Sequence, residues 1–342
     1  MFFIQNLGTL IKKPPHPPSP KDLPIIGNLH QLDNSTLCPQ LWQLSKKYDP
    51  LFSFQLGLRP AIVISSPKLA KEVPKNHDLE FCGRPKLLAQ QKLSYNSSDI
   101  VFSPYNEYWR EIRKVSVVHI FSSKRVNILA AGTDTTAATS VWAMTALVKN
   151  PRVMKKVQEE VRNVGGTKDF LDEDDIQKLP YFKAMIKETL RLHLPSQLLI
   201  PRESTEECIV DGYRIPAKTI VYVNAWVIQR DPEVWKNPEE FCPERFLDSA
   251  IDFRGQDFEL IPFGAGRRIC PGIPMAAVIL ELVLANLLHS FDWKLPQGMV
   301  KEDIDVEVLP GITQHKKNHL CLRAKTRSHI LMLEGTSCDE NN

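Results

Sequence analysis

The longest apolar stretch of the chain covers residues 273–289 and predicts a buried helix. Drawn as a helix, it carries apolar side chains on nearly every side, which is typical of a helix inside a protein core. The stretch is shorter than a usual membrane span and contains Glu281, so a transmembrane helix is not expected. Pro274 suits the first turn of this helix.

The remaining hydrophobic pattern predicts further helices and several short strands. Helical spacing is seen over residues 37–48, from 67 onwards, over 151–164 and over 181–193. Strand patterns fall at residues 51–56, 61–65, 198–202, 207–210, 213–215 and 219–223. Asn150 is placed to cap the 151–164 helix, and Asp211-Gly212 favours a hairpin turn. Residues 81–103 are predicted to form a loop, and the whole pattern indicates a mainly α protein with a small β region.

Composition narrows the class of protein. The chain has 342 residues, of which 43% are hydrophobic and 24% charged, as expected for a globular protein with a large core. A formal net charge of +3 makes no case for a nucleic-acid partner. The seven cysteines are odd in number and include no Cys-x-x-Cys, so neither a disulfide framework nor a zinc site is predicted. Reduced thiols facing the cytosol fit best.

The two ends of the chain are predicted to lie outside the folded domain. Residues 1–11 are apolar, but as a helix they would span roughly 17 Å, against about 30 Å for the hydrocarbon core of a membrane. A basic pair and the Pro-rich run PPHPPSP follow, so this part is either a shortened anchor with a hinge or a disordered Pro-rich tail. Residues 326–342 form a loose polar tail.

One loop, PFGAGRRICPG at residues 262–272, has the character of a metal-thiolate site. Its three glycines lack a Cβ, so the backbone can bend tightly and approach a flat ligand. Arg267 and Arg268 are expected to lower the pKa of the Cys270 thiol, and the start of the following helix faces back towards it. The simpler alternative is a buried cysteine beside a Gly-rich turn.

This loop resembles the haem-binding signature of the cytochrome P-450 family, Phe-x-x-Gly-x-Arg-x-Cys-x-Gly. The matching residues are Phe263, Gly266, Arg268, Cys270 and Gly272. The resemblance implies the mostly helical P-450 fold and a haem b (iron protoporphyrin IX) cofactor whose iron is held by the Cys270 thiolate. Phe263 and Arg268 belong to the implied cofactor-binding set, with Arg268 on a haem propionate.

Two further motifs match the family's propionate-binding positions. In WREIR, Trp109 and Arg113 are four residues apart and share one helical face, and Arg202 in PRES matches a third position. The planar guanidinium of arginine suits a carboxylate. Arg110 and Lys114 add a basic face that could receive an acidic reductase, although a solvated charged face is equally expected.

AGTDTT, at residues 131–136, matches the family's oxygen-activation motif. Its glycine and threonines have poor helix propensity, and threonine side chains can bond back to carbonyls and loosen the turn. Asp134 and Thr135 place an acid next to an alcohol and are implied to relay protons. The alternative is a helix with a Thr-rich packing face.

A structural lock is implied by two motifs that are distant in sequence. Glu188 and Arg191 lie three residues apart on one helical face, and Arg245 stands in the PERF segment. In the family these three residues are joined in the interior behind the haem. Their implied role is to hold the fold rather than to take part in chemistry.

The middle of the chain departs from the family. HIFSSKRV, residues 119–126, runs almost directly into ILAAGTDTT, where family members carry a long run of helices. An internal segment between about Val126 and Ala130 is therefore missing, and the P-450 fold is expected to be incomplete. The predicted organisation is a short apolar segment (1–13), a hinge (14–32), a monooxygenase domain with a deletion near 126–130 (33–325) and the tail (326–342).

The residues of these motifs are most similar to those of plant microsomal members of the family, in the group that includes the 71- and 83-type subfamilies. The resemblance implies insertion of one atom of O2 into a small apolar plant metabolite, with electrons from NADPH through a NADPH–cytochrome reductase flavoprotein. It also implies a position on the endoplasmic reticulum membrane, at its cytosolic face. The alternative hypotheses are a truncated, non-catalytic haem-binding remnant and a peripheral membrane protein, which leaves the cysteine loop unexplained.

Overall fold

The computed structural model describes residues 14–33, 36–94, 96–120 and 130–327. The N-terminal segment predicted as a shortened anchor or a disordered tail, the junction near 126–130 and nearly all of the C-terminal tail therefore lie outside the described residues. The helices are α1 Leu37–Lys47, α2 Pro67–Asn76, α3 Leu88–Leu93, α4 Glu107–Val115, α5 Ala130–Lys149, α6 Pro151–Gly165, α7 Glu173–Ile176, α8 Pro180–Leu192, α9 Ala225–Ile228 and α10 Ile273–Ser290. Single helical turns occur at Leu29–Gln31, Ser116–Ile120, Pro243–Phe246, Gly266–Arg268 and Lys301–Asp303.

The strands form one small mixed sheet and three two-stranded ribbons. They are β1 Leu51–Leu56, β2 Arg59–Ile64, β3 Arg202–Glu203, β4 Cys208–Val210, β5 Tyr213–Ile215, β6 Ile220–Val223, β7 Phe291–Lys294, β8 Val308–Leu309, β9 His315–Lys316 and β10 Arg323–Thr326. The sheet order is β1-β2-β6-β3, and β2 and β6 run parallel. The ribbons are β4–β5, β7–β10 and β8–β9. The predicted class, mainly α with a small β region, is confirmed.

The largest core lies between α5, α6, α8 and α10. Leu280, Leu284 and Leu288 of α10 are buried there, which places this helix in the core as predicted. Within the described residues, α10 is the one helix long and apolar enough to cross a membrane, and 39% of it is buried. Its packing is that of a core helix.

The Pro-rich hinge is tied to the β region. The backbone N–H of Ser53 donates to the Pro18 carbonyl at 2.8 Å, and that of Arg214 donates to the Pro15 carbonyl at 2.8 Å. Both carbonyls belong to prolines, which have no backbone N–H to donate. The segment is therefore held against the sheet and the β4–β5 ribbon by backbone hydrogen bonds that its carbonyls accept.

Three local predictions are wrong. The predicted loop 81–103 contains α3, which consists of good helix formers such as Leu, Ala, Gln and Lys. The predicted strand 198–202 is extended only at its end, because Leu199 turns the chain with a φ of 53°. Asn150 does not cap α6: its side chain donates back to the Ala146 carbonyl at 2.8 Å and so closes the end of α5.

Candidate functional site

All the residues predicted from motifs to bind cofactor or move protons line one cavity of about 530 Å³. They are Trp109, Arg113, Asp134, Thr135, Arg202, Phe263, Arg268 and Cys270. The walls come from α4, α5, α8, the start of α10 and the cysteine loop. Residues far apart in sequence thus converge on one site, as the motifs predict.

The cysteine loop is shaped by its glycines. Gly264 and Gly266 adopt φ of 71° and 68°, a left-handed conformation that favours glycine. A Cβ on Gly266 would also lie 2.6 Å from the Cβ of Pro74 in α2. The loop closes with a backbone hydrogen bond of 3.0 Å from the Cys270 N–H to the Phe263 carbonyl. Cys270 is thereby held at the start of α10.

The electrostatics of Cys270 differ in one respect from the prediction. Burial raises the pKa of its thiol, while a backbone hydrogen bond at Gly272 and the charge of Arg113 act in the opposite direction. Arg267 was expected to favour the thiolate, but its Nε instead pairs with Asp78 Oδ2 at 3.0 Å. Arg268 likewise turns to other partners, so the predicted effect of this pair on the thiol is wrong. Arg113 supplies the nearby charge.

Arg202 and Arg268 are anchored on the cavity wall but only partly satisfied. Arg202 Nη2 donates to the Ala265 carbonyl at 2.6 Å. Arg268 donates from Nε to the Cys82 carbonyl and from Nη2 to the Ser103 carbonyl, both at 2.8 Å. In both arginines Nη1 is buried without a hydrogen-bond partner among the described residues. An anionic ligand would satisfy these donors.

Arg84 is a further cavity-lining arginine that the motifs did not predict. It donates from Nε to the Val101 carbonyl at 2.9 Å and from Nη1 to the carbonyls of Ile200 and Pro201 at 2.8 and 2.7 Å. Burial and the neighbouring Arg268 lower its pKa well below the ordinary value. In the sequence it stands in FCGRP, far from the cysteine loop, and only the fold brings it to the cavity.

The four cavity arginines form a buried cluster of like charge. Burial lowers the pKa of Arg113 and of Arg202, and lowers that of Arg268 to about 10. Like charges disfavour one another in a low-dielectric site unless an anion neutralises them. This wall therefore favours a ligand that carries carboxylates.

Trp109 supports the arginines through its ring. Its indole N–H donates to the Ile100 carbonyl at 2.8 Å, so that donor is already used within the chain. The guanidinium carbons of Arg268 and Arg113 lie 4.2 and 5.3 Å from the centre of the ring. Arg113 Nη2 donates to the Ile269 carbonyl at 2.7 Å, which links α4 to the cysteine loop.

The Thr-rich start of α5 lies on the cavity wall. The threonine back-bonding predicted for this helix is present one turn further on, where Thr139 Oγ1 donates to the Thr135 carbonyl at 2.7 Å. The Asp134 side chain is 53% exposed and pairs with His315 Nε2 at 3.1 Å. His315 comes from β9 at 181 residues' distance, and nothing in the sequence indicated this pair.

The predicted lock is assembled in the interior, away from the cavity. Glu188 accepts bonds from Arg191 at 2.7 and 2.9 Å and from Arg245 Nε at 3.1 Å. The backbone N–H of Cys242 donates to the same carboxylate at 2.8 Å. The three residues predicted from two separate motifs are therefore in contact.

Comparison with known proteins agrees with this geometry. The sequence model described as Cytochrome P450 matches residues 17–129 and 124–322. Cytochrome P450 71B37 of Arabidopsis thaliana is 37% identical, covering 90% of this chain and 92% of the relative. Cytochrome P450 71A9 of Glycine max is 36% identical, covering 95% and 97%. Strychnine-11-hydroxylase of Strychnos nux-vomica is 35% identical, covering 90% and 91%.

Solved structures show the same fold. A zebra fish cytochrome P450 structure with progesterone superposes with a TM-score of 0.75 at 21% identity, covering 85% of this chain and 99% of that one. The plant relatives are longer: the alignment with 71B37 extends over 462 positions, against 342 residues here. Family model, relatives and fold agree, and the chain belongs to the cytochrome P450 family of monooxygenases.

Proposed function

We propose that this chain is a haem-thiolate monooxygenase that inserts one atom of O2 into a small apolar plant metabolite. The observation that carries the proposal is the convergence of the thiol of Cys270, the acid–alcohol pair of α5 and the arginine cluster on one cavity. Thiol, proton relay and anion site are the three parts that such a reaction needs around one cofactor.

The residues present fit haem b, the cofactor that the family implies. Arg268 holds a buried Nη1 that has no hydrogen-bond partner among the described residues. Arg202 Nη1 also makes no hydrogen bond there, although Asp78 Oδ1 lies 3.9 Å away, so propionate carboxylates would satisfy both donors. Cys270 offers a sulfur ligand, and Gly264 and Gly272 beside it also line the cavity. When bound, haem supplies the activation of O2.

The chain's own residues prepare the site for this chemistry. Iron binding requires the thiolate of Cys270, which Arg113 and the backbone hydrogen bond at Gly272 favour against burial. Asp134 is half exposed and paired with His315, so it can take protons from water. Thr135 lies next to it on the cavity wall and can pass them inwards.

The remaining residues hold the site in place. Trp109 supports Arg268 and Arg113 through its ring, and Phe263 packs against Phe253 with ring centres 5.6 Å apart. The Glu188–Arg191–Arg245 lock fixes α8 to the PERF segment, and α8 in turn forms part of the cavity wall. We assign these residues positioning roles.

Electrons would come from NADPH through a flavoprotein reductase. Arg110 and Lys114 lie exposed on α4, on the helix whose Arg113 reaches the cysteine loop. Arg267 of that loop is also partly exposed. Arg110 and Lys114 offer positive charge to an acidic partner, beside the exposed Glu107 and Glu111 of the same helix. We place such an enzyme at the cytosolic face of the endoplasmic reticulum membrane, because its plant relatives are typically membrane-bound.

A small apolar substrate fits the rest of the cavity. Apolar side chains, among them Ile100, Leu199 and Ile312, make up much of its lining. The relative named strychnine-11-hydroxylase is, by its name, a hydroxylase of an alkaloid, which is a small plant metabolite. The class of substrate is proposed on these two grounds.

A second function, a non-catalytic haem-binding remnant, is favoured by the shortened middle of the chain. The family model matches in two parts that overlap at residues 124–129, and the plant relatives are longer than this chain. Thr133 and Asp134, at the start of α5, are exposed. A cavity open on this side would hold haem yet release substrate and admit water.

Turnover separates the two functions. The haem-loaded protein is mixed with NADPH, a plant reductase and an alkoxycoumarin probe, and the dealkylated product is measured. We expect product from the parent chain and none from Cys270→Ala. Haem bound by the parent chain without any product would favour the remnant, and failure to bind haem would contradict both functions.

A further inference from the structure

The rim of the haem cavity beside α5 carries a histidine that no motif predicted. Ile312 and Thr313 line the cavity together with Asp134 of α5, and His315 follows them in β9. The ring Nε2 of His315 lies 3.1 Å from Oδ1 and 3.3 Å from Oδ2 of the Asp134 carboxylate. One ring nitrogen therefore faces both oxygens of a carboxylate that belongs to the cavity wall.

We propose that His315 is a positioning residue for proton delivery, which holds the Asp134 carboxylate at the solvent side of the cavity, next to Thr135. The inference rests on the proposed monooxygenase function. In that reaction the second oxygen atom leaves as water, so each turnover takes up two protons along with the two electrons from NADPH. His315 keeps the acid in place between the water that supplies these protons and the alcohol that passes them inwards.

The chain before His315 is fixed over α5. The indole N–H of Trp142 donates to the Gln314 carbonyl at 2.8 Å, and the Gln314 N–H donates to the Pro195 carbonyl at 2.8 Å. Trp142 lies about two helical turns beyond Asp134 on the same helix. The helix that carries the acid thus also holds the strand that carries the histidine.

The chain after His315 is fixed as well. The ammonium group of Lys316, whose side chain is 3% exposed, pairs with Asp305 at 2.8 Å. Lys149, at the end of α5, donates to the neighbouring Ile304 carbonyl at 2.6 Å. The strand is therefore anchored on both sides, and the place of His315 does not depend on its own contact with the acid.

Asp134 needs such a partner because water reaches it. Its side chain is 53% exposed and that of His315 is 42% exposed. Without a donor, a carboxylate in this position would rotate freely about its side-chain bonds and turn towards bulk water. A ring N–H that faces both oxygens restricts this rotation while it leaves the pair in contact with solvent. An exposed pair contributes little to stability, so its role lies in orientation rather than in folding.

A double-mutant cycle tests whether His315 acts through Asp134. The haem-loaded parent chain, both single variants and the double variant are turned over with NADPH, a plant reductase and the alkoxycoumarin probe. The product formed per NADPH consumed is measured. We expect His315→Leu to lower this ratio about two- to fivefold, the range that the loss of one exposed pair allows. In the Asp134→Asn background the same change should have no further effect.

Two further variants separate orientation from packing. Glutamine carries an N–H donor at about the reach of the histidine Nε2, so His315→Gln should keep the ratio within about twofold of the parent chain. His319→Leu is the matched control, because His319 is exposed and lies four residues further along the same segment. It should leave the ratio unchanged.

The contact itself is measured without turnover. Long-range ¹H–¹⁵N spectra of the imidazole rings report which ring nitrogen carries the proton, and the signal of His315 is identified by its loss in His315→Gln. We expect this ring to carry a proton on Nε2, the atom that faces the carboxylate. We also expect its Nε2 signal to shift in Asp134→Asn.

The outcomes separate this inference from the proposed function. If the parent chain forms product, equal losses from His315→Leu in both backgrounds would overturn the positioning role alone, as would a ratio for His315→Gln as low as for His315→Leu. An unchanged Nε2 signal in Asp134→Asn would show that the contact is not made and would overturn the role as well. A parent chain that forms no product, with the signal shifted as expected, would overturn the proposed function and the role with it, although the contact is present.

Discussion

Replacing Glu188 by glutamine tests the buried lock most sharply. The Glu188 carboxylate accepts hydrogen bonds from Arg191, Arg245 and the Cys242 backbone, and the side chains of Glu188 and Arg191 are both 0% exposed. Glutamine keeps the size and shape of the side chain but removes its charge. Glu188→Gln therefore leaves the guanidinium of Arg191 in the interior without its counter-charge.

The magnitude follows from this burial. Breaking a buried ion pair by removing one partner destabilises a protein by about 3–5 kcal/mol, because the remaining charge stays desolvated. Glu239→Gln is a matched control: Glu239 pairs with the largely buried Arg230 at 3.3 Å, but its own side chain is 67% exposed. An exposed carboxylate of this kind contributes about 0–1 kcal/mol.

Urea unfolding of the three proteins, followed by far-ultraviolet circular dichroism, measures the difference in the free energy of unfolding. We expect Glu188→Gln to lower it by about 3–5 kcal/mol and Glu239→Gln by less than about 1 kcal/mol. Equal losses in the two variants, or a loss below about 1 kcal/mol for Glu188→Gln, would refute the reasoning that the lock holds a buried charge in place.

Three further predictions concern single residues. A hydrogen bond from Arg152 lowers the pKa of Glu244 from 4.5 to about 2, so the ionised Glu244 stabilises the folded protein fully above pH 4.5 and this stabilisation is lost as the pH falls to 2. Glu244→Gln should therefore make the thermal unfolding temperature depend less on pH between 4.5 and 2. A pH profile equal to that of the parent chain would contradict this prediction. Gly266→Ala should destabilise the protein by about 1–3 kcal/mol in thermal unfolding, because it combines a left-handed φ with a clash against α2, and an unchanged midpoint would count against this packing. Arg268→Leu should weaken haem binding in an absorbance titration far more than Arg267→Leu, whose guanidinium pairs with an aspartate; equal losses would refute the anion site.

The parts of the site that local motifs specify could be predicted from the sequence. Cys270 and its glycines lie on one loop, and Trp109 and Arg113 lie on one helix. Their spacing in the sequence therefore determines their relative positions in the cavity. The pairing of Glu188 with Arg245 was also predicted and is present, since each motif is local and their contact was implied by the family. The overall class followed from the spacing of apolar residues.

Contacts made across the fold could not be predicted. Arg84 is fixed by carbonyls 116 and 117 residues away, and His315 reaches Asp134 from 181 residues away. The predicted influence of Arg267 on the pKa of the Cys270 thiol was wrong for the same reason, because Arg267 forms an ion pair with Asp78, which lies far away in the sequence. In each case tertiary packing determines which residue becomes the partner, and the spacing of residues in the sequence does not identify it.

The central claim is that Cys270 binds haem iron as a thiolate, and one spectrum tests it most directly. The purified protein is reduced with dithionite, and its absorption is recorded with and without carbon monoxide, beside that of Cys270→Ala. We predict a strongly red-shifted Soret band in the parent chain and its loss in the variant. A band typical of a neutral or histidine ligand, or a protein that takes up no haem, would contradict the account.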